Sequence, residues 1–306
     1  MTKKETLKKR LRYSFPLYLM LLPGLIYIFI NNYIPMAGIV VAFKKYSARL
    51  GIWGSKWVGL SNFKYLFQKD ASILIRNTLL YNVAFIILDM VFGVILAIMI
   101  TDIKNKYAKK VYQSAILLPF LISIVIVSYI VYAFLSTENG MLNSLLRQLG
   151  QEDIQWYATP KYWPFILCLV HLWKGVGYGT MIYIAGIAGI DPSLYEAASL
   201  DGASIWQRIR YVTLPELVPA ITTMLLLSVG HIFNSDFGLF YQVPQNSGAL
   251  YSVTNTLDTY VYRAMTSTGG FDHSSAASVF QSIVGFVLVV ASNAIVSKIS
   301  KENAIF

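Results

Sequence analysis

The sequence predicts an all-α, polytopic membrane protein with six transmembrane helices and one charged helical loop on the cytoplasmic side. Of its 306 residues, 56% are hydrophobic and only 13% are charged, and the mean hydropathy is +0.56. Soluble domains carry about 25% charged residues, so this chain is too apolar to be one. The basic residues behind the net charge of +10 cluster beside long apolar stretches. This clustering is typical of cytoplasmic membrane edges and not of nucleic-acid binding.

Six apolar stretches are long enough to cross a bilayer, which takes about 20 residues in a helix. They cover roughly residues 15–43, 72–101, 111–135, 161–190, 216–236 and 274–297. The first stretch contains Pro16, Pro23 and Pro35. Dividing it would leave a second piece of about ten residues, which is too short to cross. We therefore predict one tilted or kinked first span.

The charges outside the apolar stretches predict the orientation. Residues 1–14 form a basic tail with no small-residue cleavage site after it, so we expect a cytoplasmic tail and a retained first span. Six spans then return the C-terminus, with Lys298 and Lys301, to the cytoplasm. The lysine-rich loop after span two and the acidic loop after span three agree with this orientation.

The loop 44–71 fits the orientation less well. It is external on this count, yet it carries six basic residues, against the usual preference for basic loops in the cytoplasm. Its aromatic residues predict a segment that lies at the level of the lipid headgroups. They are Trp53, Trp57, Phe63, Tyr65 and Phe67.

Residues that carry out catalysis or bind metals are sparse in this sequence. Cys168 is the single cysteine and lies in an apolar run, so we expect neither an intramolecular disulfide nor a metal cluster. A G-x-x-x-x-G-K-[ST] phosphate loop is absent from the sequence. We expect no catalytic residue, no metal and no cofactor in this chain, so any energy for transport enters from elsewhere.

The segment 191–215 is a charged, helix-forming stretch between two apolar blocks. Asp191 is a suitable N-cap with Pro192 at the first helical position, and Gly202 can end this helix in a left-handed conformation. A second helix over 203–212 is predicted to break or kink at Pro215. Taken alone, a segment of this kind is more often a solvated amphipathic loop helix than a docking element.

The segment contains the pattern Glu196-Ala197-Ala198, three residues, Gly202, nine residues, Val212, one residue, Leu214-Pro215. This pattern resembles the EAA signature of bacterial ABC importer permeases, in which the Val212 position is usually isoleucine. The resemblance implies that this is the coupling-helix loop, which docks on a cytoplasmic ATPase subunit that binds ATP and Mg. The residues it assigns to coupling are Glu196, Ala197, Ala198, Asp201, Gly202, Leu214 and Pro215.

Further stretches narrow the resemblance to the carbohydrate-uptake branch. Residues 57–63 and Asp201-Gly202-Ala203 are similar to that branch, and residues 237–243 and 258–263 resemble permeases for oligosaccharides from complex polysaccharides. The resemblance implies one permease domain over 15–306, with an external loop 44–71, a coupling loop 191–215 and an external segment 237–273. It also implies a bacterial cytoplasmic membrane, a second, different permease, two ATPases and an extracellular, often lipid-anchored, sugar-binding protein.

Candidate residues for a sugar path lie in spans four and five. Sugars are bound by aromatic faces and by side chains that hydrogen-bond hydroxyl groups. The candidates are Trp173, Tyr178 and Tyr183 in span four and Phe233, Asn234 and Asp236 at the end of span five. For any single aromatic, packing against lipid or protein is the more common role. Asn234 and Asp236 are costly at membrane depth unless they face a cavity or a partner.

Other polar residues within the spans leave alternatives open. Asp89 and Lys174 can pair with each other or with another subunit, or contact substrate, and His171 fits a packing role. The five glycines between 175 and 189 indicate close helix packing, although they also leave room for a ligand.

Three other classes of protein are alternatives. An ABC permease for an amino acid, a peptide or a lipid would carry the same coupling motif. An ion-coupled secondary transporter would need buried carboxylates on several spans, and only Asp89 and Asp236 qualify. A membrane enzyme would need a catalytic cluster, which the sequence lacks.

Overall fold

The computed structural model describes residues 3–67, 69–267 and 270–299, and helices dominate this part of the chain. Its first half contains α1 (Lys3–Ile28), α2 (Ile34–Met36), α3 (Gly51–Gly54), α4 (Lys69–Thr101), α5 (Lys106–Leu121), α6 (Ile124–Leu135) and α7 (Met141–Gln148). Its second half contains α8 (Trp163–Ala188), α9 (Pro192–Leu200), α10 (Ile205–Arg208), α11 (Leu214–Gly230), α12 (Phe237–Gln242), α13 (Tyr251–Thr254), α14 (Leu257–Ser267) and α15 (Phe271–Ile299). Other turns are π-helical at Phe29–Tyr33 and Ile209–Thr213, and 3-10 at Ala37–Phe43, Gly59–Phe67, Trp156–Ala158, Pro160–Tyr162 and Gly248–Leu250.

The predicted six-span, all-α fold is confirmed. Five helical segments of the described chain are long and apolar enough to cross a membrane, and a bent pair of helices supplies a sixth candidate. The five are Ser14–Phe43, Ser72–Thr101, Pro160–Ala188, Ile205–Gly230 and Phe271–Lys298. The first is a single span, as predicted, and its helix continues through Pro16 and Pro23. It begins at Lys3, so most of the predicted basic tail belongs to α1, whereas Lys301 lies outside the described residues.

The third span is not the single straight helix predicted over 111–135. It consists of α5 and α6, which meet at an angle of 93°. Pro119 lacks the N–H that would continue the hydrogen-bond ladder, and Ile122 and Ser123 adopt non-helical backbone angles. The chain therefore turns sharply within its third apolar stretch.

The fifth span also differs from its predicted limits of 216–236. It runs from Ile205 to Gly230, so of the two predicted effects of Pro215 a break is wrong, and the helix instead changes to a π turn just before this proline. The π turn directly before Pro215 widens the ladder, with the N–H of Leu214 bonded to the carbonyl of Ile209. A proline that follows such a turn is tolerated because the local geometry is already adjusted.

The loop between spans one and two forms a small hairpin of β1 (Lys44–Lys45) and β2 (Lys56–Trp57), paired antiparallel. Lys44 is buried, and its Nζ donates to the carbonyls of Ile52 and Trp53, each at 2.9 Å. Of the aromatics predicted at headgroup level, Trp53 and Trp57 are exposed and Phe63 is partly buried. The side chains of Tyr65 and Phe67 lie outside the described residues.

The core of the molecule lies around α4 and α8. These two helices approach closely at Gly93, where an added Cβ would lie 3.0 Å from the ring of Tyr183. The segment 237–267 folds back over α4, α6 and α8, and its Leu239, Phe240 and Val243 join Trp163 in one buried cluster. In contrast, every residue from 15 to 37 is exposed in the first span.

Candidate coupling surface and translocation path

The helix α9 begins and ends where its sequence predicts. Asp191 Oδ1 accepts a hydrogen bond of 2.9 Å from the backbone N–H of Ser193, and Pro192 occupies the first helical position. This backbone bond, reinforced by the Ser193 side chain, lowers the pKa of the Asp191 carboxyl below its usual value. The cap is therefore ionised at neutral pH, where its charge also complements the helix N-terminus.

The turn after α9 is fixed by hydrogen bonds on both sides. Gly202 has φ +76°, as the sequence predicted, and the N–H of Ala203 reaches back to the carbonyl of Ala198 at 2.9 Å. Ser204 then starts α10, and its backbone N–H donates to Gln207 Oε1 at 2.7 Å. The N–H of Gln207 returns a bond to Ser204 Oγ at 3.4 Å. The two-helix loop 191–208 is thus a defined unit.

One hydrogen bond ties α9 to the fifth span. The hydroxyl groups of Tyr195 and Thr213 are 2.9 Å apart, and Thr213 lies in the π turn of Ile209–Thr213. Ile187, Ile190 and Leu217 form a buried cluster beneath this bond, against which Tyr195 packs. Through this bond and this cluster, α9 is in direct contact with spans four and five.

The residues of the predicted coupling motif divide into two places. Glu196, Ala197, Asp201 and Gly202 are exposed on α9 and its turn, and Ala198 is partly exposed there. Leu214 and Pro215 are exposed too, but they lie at the start of α11. The structure therefore gathers the first five on one surface and leaves the last two on the fifth span.

Sequence reasoning missed two residues of this surface. Leu200 is 89% exposed at the end of α9, and Trp206 is 77% exposed on α10. Large apolar side chains in a charged loop are a signal that points to a contact with another protein. Trp206 also lines a groove of about 820 Å³, whose other walls include Asp102, Ile187, Tyr195, Glu196 and Arg208.

Two of the three predicted path residues of span four, Tyr178 and Tyr183, line a small cleft. This cleft has a volume of about 130 Å³ and lies between α4, α8 and α11. It is lined by both Tyr178 and Tyr183, together with Asp89 and Ser228. Trp173 is exposed on α8 but is not among the residues that line the cleft.

The path residues predicted at the end of span five lie apart from this cleft. Phe233 is buried and packs edge-on against Phe280, with ring centroids 5.9 Å apart. Asn234 is exposed in the loop, and Asp236 accepts a bond of 3.1 Å from the N–H of Leu239 as the cap of α12. The Asp236 carboxylate thus has a structural partner.

The polar residues of span four contact two different neighbouring helices. Asp89 does not pair with Lys174; its Oδ2 lies 3.0 Å from Nε2 of His171, whose ring stacks on Phe85. Lys174, three residues later on α8, instead donates to the carbonyl of Phe120 at 3.0 Å. The helix rotation thus directs neighbouring positions of α8 toward α4 and toward α5.

A second network that the sequence did not reveal anchors the loop after span five. Asp258 Oδ2 accepts from the backbone N–H and the hydroxyl of Ser235, at 2.6 and 2.8 Å, and from Gln281 at 3.2 Å. These contacts join α14 and α15 to the loop, so that the loop is held from two sides.

The candidate spans and the two-helix loop 191–208 define a polytopic, helical membrane protein. Residues 89–301 match the family described as binding-protein-dependent transport system inner membrane component. The chain belongs to this family, and it is a permease subunit of an ABC importer.

Relatives of known name cover nearly the whole chain. The chain is 34% identical over 292 residues to Protein LplB of Bacillus subtilis, which covers 94% of this chain and 90% of the relative. It is 34% identical over 288 residues to the polygalacturonan/rhamnogalacturonan transport system permease protein YteP of the same organism, with 94% and 89% covered.

A solved structure extends the similarity to the fold. It is a bacterial ABC transporter involved in the import of the acidic polysaccharide alginate, with 32% identity and a TM-score of 0.87. The similarity covers 96% of this chain and 99% of that chain. A further structure of the bacterial alginate transporter contains an alginate pentasaccharide-bound periplasmic protein, with 32% identity, a TM-score of 0.86 and coverage of 96% and 98%.

Proposed function

We propose that this chain forms one half of the membrane path of an oligosaccharide importer that is driven by two cytoplasmic ATPase subunits. The observation that carries the proposal is the braced loop 191–208, which exposes Glu196, Ala197 and Gly202 and bonds to span five through Tyr195. ATP and Mg bind in the partner ATPases, because the sequence contains no phosphate loop. Closure of the ATPases moves α9, and the spans alternate between inward-open and outward-open states.

The coupling contacts follow from the exposed surface. Glu196 offers a charge-assisted hydrogen bond, and the small Ala197 and Ala198 allow a close approach to the partner. Asp201 and Gly202 shape the turn, whereas Leu214 and Pro215 act from the start of α11. Together these are the residues Glu196, Ala197, Ala198, Asp201, Gly202, Leu214 and Pro215.

The substrate is an oligosaccharide delivered by an extracellular solute-binding protein. The relative YteP and the solved alginate transporter are both named for polysaccharide-derived substrates. The path contains the cleft residues Tyr178 and Tyr183, and the predicted Trp173, Phe233, Asn234 and Asp236 complete the candidate set. Tyr178 is the strongest member, because it is 55% exposed and also lines the cleft.

A second, homologous permease completes the path, and we infer a heterodimer. The exposed first span supports a second permease of either kind, because residues 15–37 contact none of the chain's other spans closely enough to be buried, and the resemblance implies that this partner is a different chain. The complex lies in a bacterial cytoplasmic membrane and in contact with its lipid, with both termini of this chain in the cytoplasm. Residues 15–306 form one permease domain, and loops 44–71 and 237–273 face outward.

Purification of the tagged chain from its native membrane tests the proposal. We expect two ATPases and a different permease to co-purify, and ATP hydrolysis to rise with binding protein and oligosaccharide. Uptake driven by an ion gradient without any ATPase would contradict the proposal and favour a secondary transporter. Stimulation by an amino acid, peptide or lipid would keep the ABC mechanism and replace the substrate.

A further inference from the structure

Lys174 is a cation at the centre of a membrane span. It is the middle residue of the segment Pro160–Ala188, which crosses as span four. Its Nζ donates to the carbonyl of Phe120 at 3.0 Å and lies 5.6 Å from the centroid of the Phe120 ring. Lysine at this depth is costly and faces a cavity or an interior partner, not lipid.

Among the described residues, no carboxylate lies within 4.0 Å of Lys174. The acidic residue Asp89 of span two is engaged with His171 through its Oδ2. The carbonyl of Phe120 accepts one of the three ammonium hydrogens of Lys174. This contact is favourable because the positive charge lies at the C-terminal end of α5, where the helix dipole is negative. Two hydrogens remain for another acceptor.

The backbone next to Phe120, which Lys174 contacts, is not helical. The contact with Phe120 lies just before the break between α5 and α6, where Ile122 and Ser123 leave the helix. Non-helical backbone at membrane depth is tolerated only where it is buried in protein or lines a wet cavity. Phe120 is 43% exposed, so this break is not fully enclosed by the chain.

An aromatic platform adjoins the ammonium group. The ring of Tyr178 stacks on that of Phe120, with centroids 5.0 Å apart and planes 17° from parallel. Tyr178 lies four residues after Lys174, so the two side chains share one side of α8. Tyr178, but neither Lys174 nor Phe120, lines the cleft, whose lining also includes Asp89, so Tyr178 is the residue that links the ammonium group to the candidate path. Aromatic faces beside a cation fit a pyranose ring that carries an acidic group.

We propose that Lys174 binds a carboxylate of the transported sugar while the face of Tyr178 that does not stack on Phe120 holds its ring, so that the substrates are acidic, uronate-containing oligosaccharides. This inference rests on the proposed oligosaccharide importer and assigns its substrate class. A carboxylate restores the charge partner that the ammonium lacks in the membrane, whereas a neutral sugar leaves it unpaired. The same cation therefore favours acidic substrates and disfavours neutral ones.

A pair of matched sugars tests the inference. Uptake of a galacturonate trisaccharide and of its carboxyl-reduced counterpart is measured in proteoliposomes that contain the complete complex and its binding protein. The variants are Lys174→Gln and Lys174→Arg, with Lys161→Gln as control, because Lys161 also lies over an aromatic ring but at the start of span four. Saturation-transfer NMR on the detergent-purified complex, without binding protein, reports direct contact with each trisaccharide.

We expect Lys174→Gln to lower uptake of the acidic trisaccharide roughly tenfold and that of the reduced one less than twofold. Lys174→Arg should retain acidic uptake within about threefold, and Lys161→Gln should change neither. Saturation transfer to the acidic trisaccharide should be observed with the wild type and with Lys174→Arg. If Lys174→Gln does not assemble, the inference is tested by comparing the NMR contacts of the two trisaccharides with the wild type and by uptake in Lys174→Arg.

Three results would overturn the inference. The first is an equal loss of uptake for both sugars in Lys174→Gln, which would make Lys174 a structural cap only. The second is unchanged uptake of the acidic sugar in Lys174→Gln. The third is wild-type contact or uptake that favours the reduced sugar. In each of these cases ATP-driven sugar uptake by the wild-type complex leaves the proposed function standing. Failure of the wild type to transport any oligosaccharide with ATP would instead refute the proposed function itself.

Discussion

Gly177 on α8 is the glycine at which an added methyl group meets the most severe obstruction. Its Cβ would lie 1.9 Å from the carbonyl oxygen of Ile116 and 2.6 Å from the carbonyl carbon, both backbone atoms of α5. Backbone atoms cannot rotate away as a side chain can, so the helices themselves must separate. Small residues at such crossings allow membrane helices to approach.

We therefore predict that Gly177→Ala destabilises the permease by about 1–3 kcal/mol. The measurement is thermal unfolding of the detergent-purified complex, together with its yield. Gly179→Ala is the matched control, because its Cβ would meet nothing within 4 Å. Equal stability of the two variants would show that α5 and α8 are farther apart than described.

The glycines of span four thus have two different roles, which the sequence could not separate. Gly177 and Gly186 serve close packing, whereas Gly175 and Gly179 line the cleft and meet no atom within 4 Å. Which role a position takes depends on how α8 is rotated against its neighbours. The same rotation gives Asp89 to His171 and not to Lys174. A single sequence gives the residue types but does not show which neighbouring helix each residue faces.

Among the elements, the loop 191–208 depends on one side-chain bond for its attachment to span five. Tyr195→Phe removes the hydroxyl that meets Thr213 at 2.9 Å and leaves the packing of the ring unchanged. We predict a local loss of about 1 kcal/mol and partial uncoupling, seen as less sugar transported for each ATP hydrolysed. Tyr211→Phe is the control, because Tyr211 is exposed on the following π turn. An unchanged transport-to-hydrolysis ratio would rule out this bond as a coupling element.

The exposed face of the same loop carries a separate prediction. Glu196→Ala, or a bulky residue in Ala198→Trp, should lower sugar-stimulated ATP hydrolysis roughly tenfold by weakening docking of the ATPase. Co-purification of the ATPase with each variant measures docking directly. Glu152→Ala is the control, because this exposed glutamate lies in the acidic loop after span three, away from residues 191–215. Full docking and activity in both loop variants would contradict the assignment.

An element is easier to predict from the sequence when neighbouring residues determine it than when distant residues do. The cap at Asp191 and the turn at Gly202 are set by neighbouring residues, and both predictions are confirmed. The break after Pro119 has a local cause too, yet the apolar run concealed it. The continuation through Pro215 depends on a π turn, and the bond between Ser235 and Asp258 spans 23 residues. Neither can be derived from periodicity or from capping residues.

On the scale of the whole molecule, the chain is unevenly packed. The spans α4, α8, α11 and α15 contact one another, and the segment 237–267 closes over them. The first span joins this body mainly through Ala37–Phe43 against α15, and residues 15–37 remain exposed. A long apolar helix held at one end leaves a large surface for lipid or for another membrane protein.

We predict that the second permease covers this helix. A photo-reactive amino acid in place of Met20, which is 78% exposed, should form an adduct with the mass of both permeases when the complete complex is irradiated in its membrane. The same group in place of Leu149, 75% exposed in the loop after span three, is the control and should give no such adduct. Adducts of Met20 with lipid alone would show that the first span faces the bilayer, and the partner permease would then have to bind elsewhere on the chain.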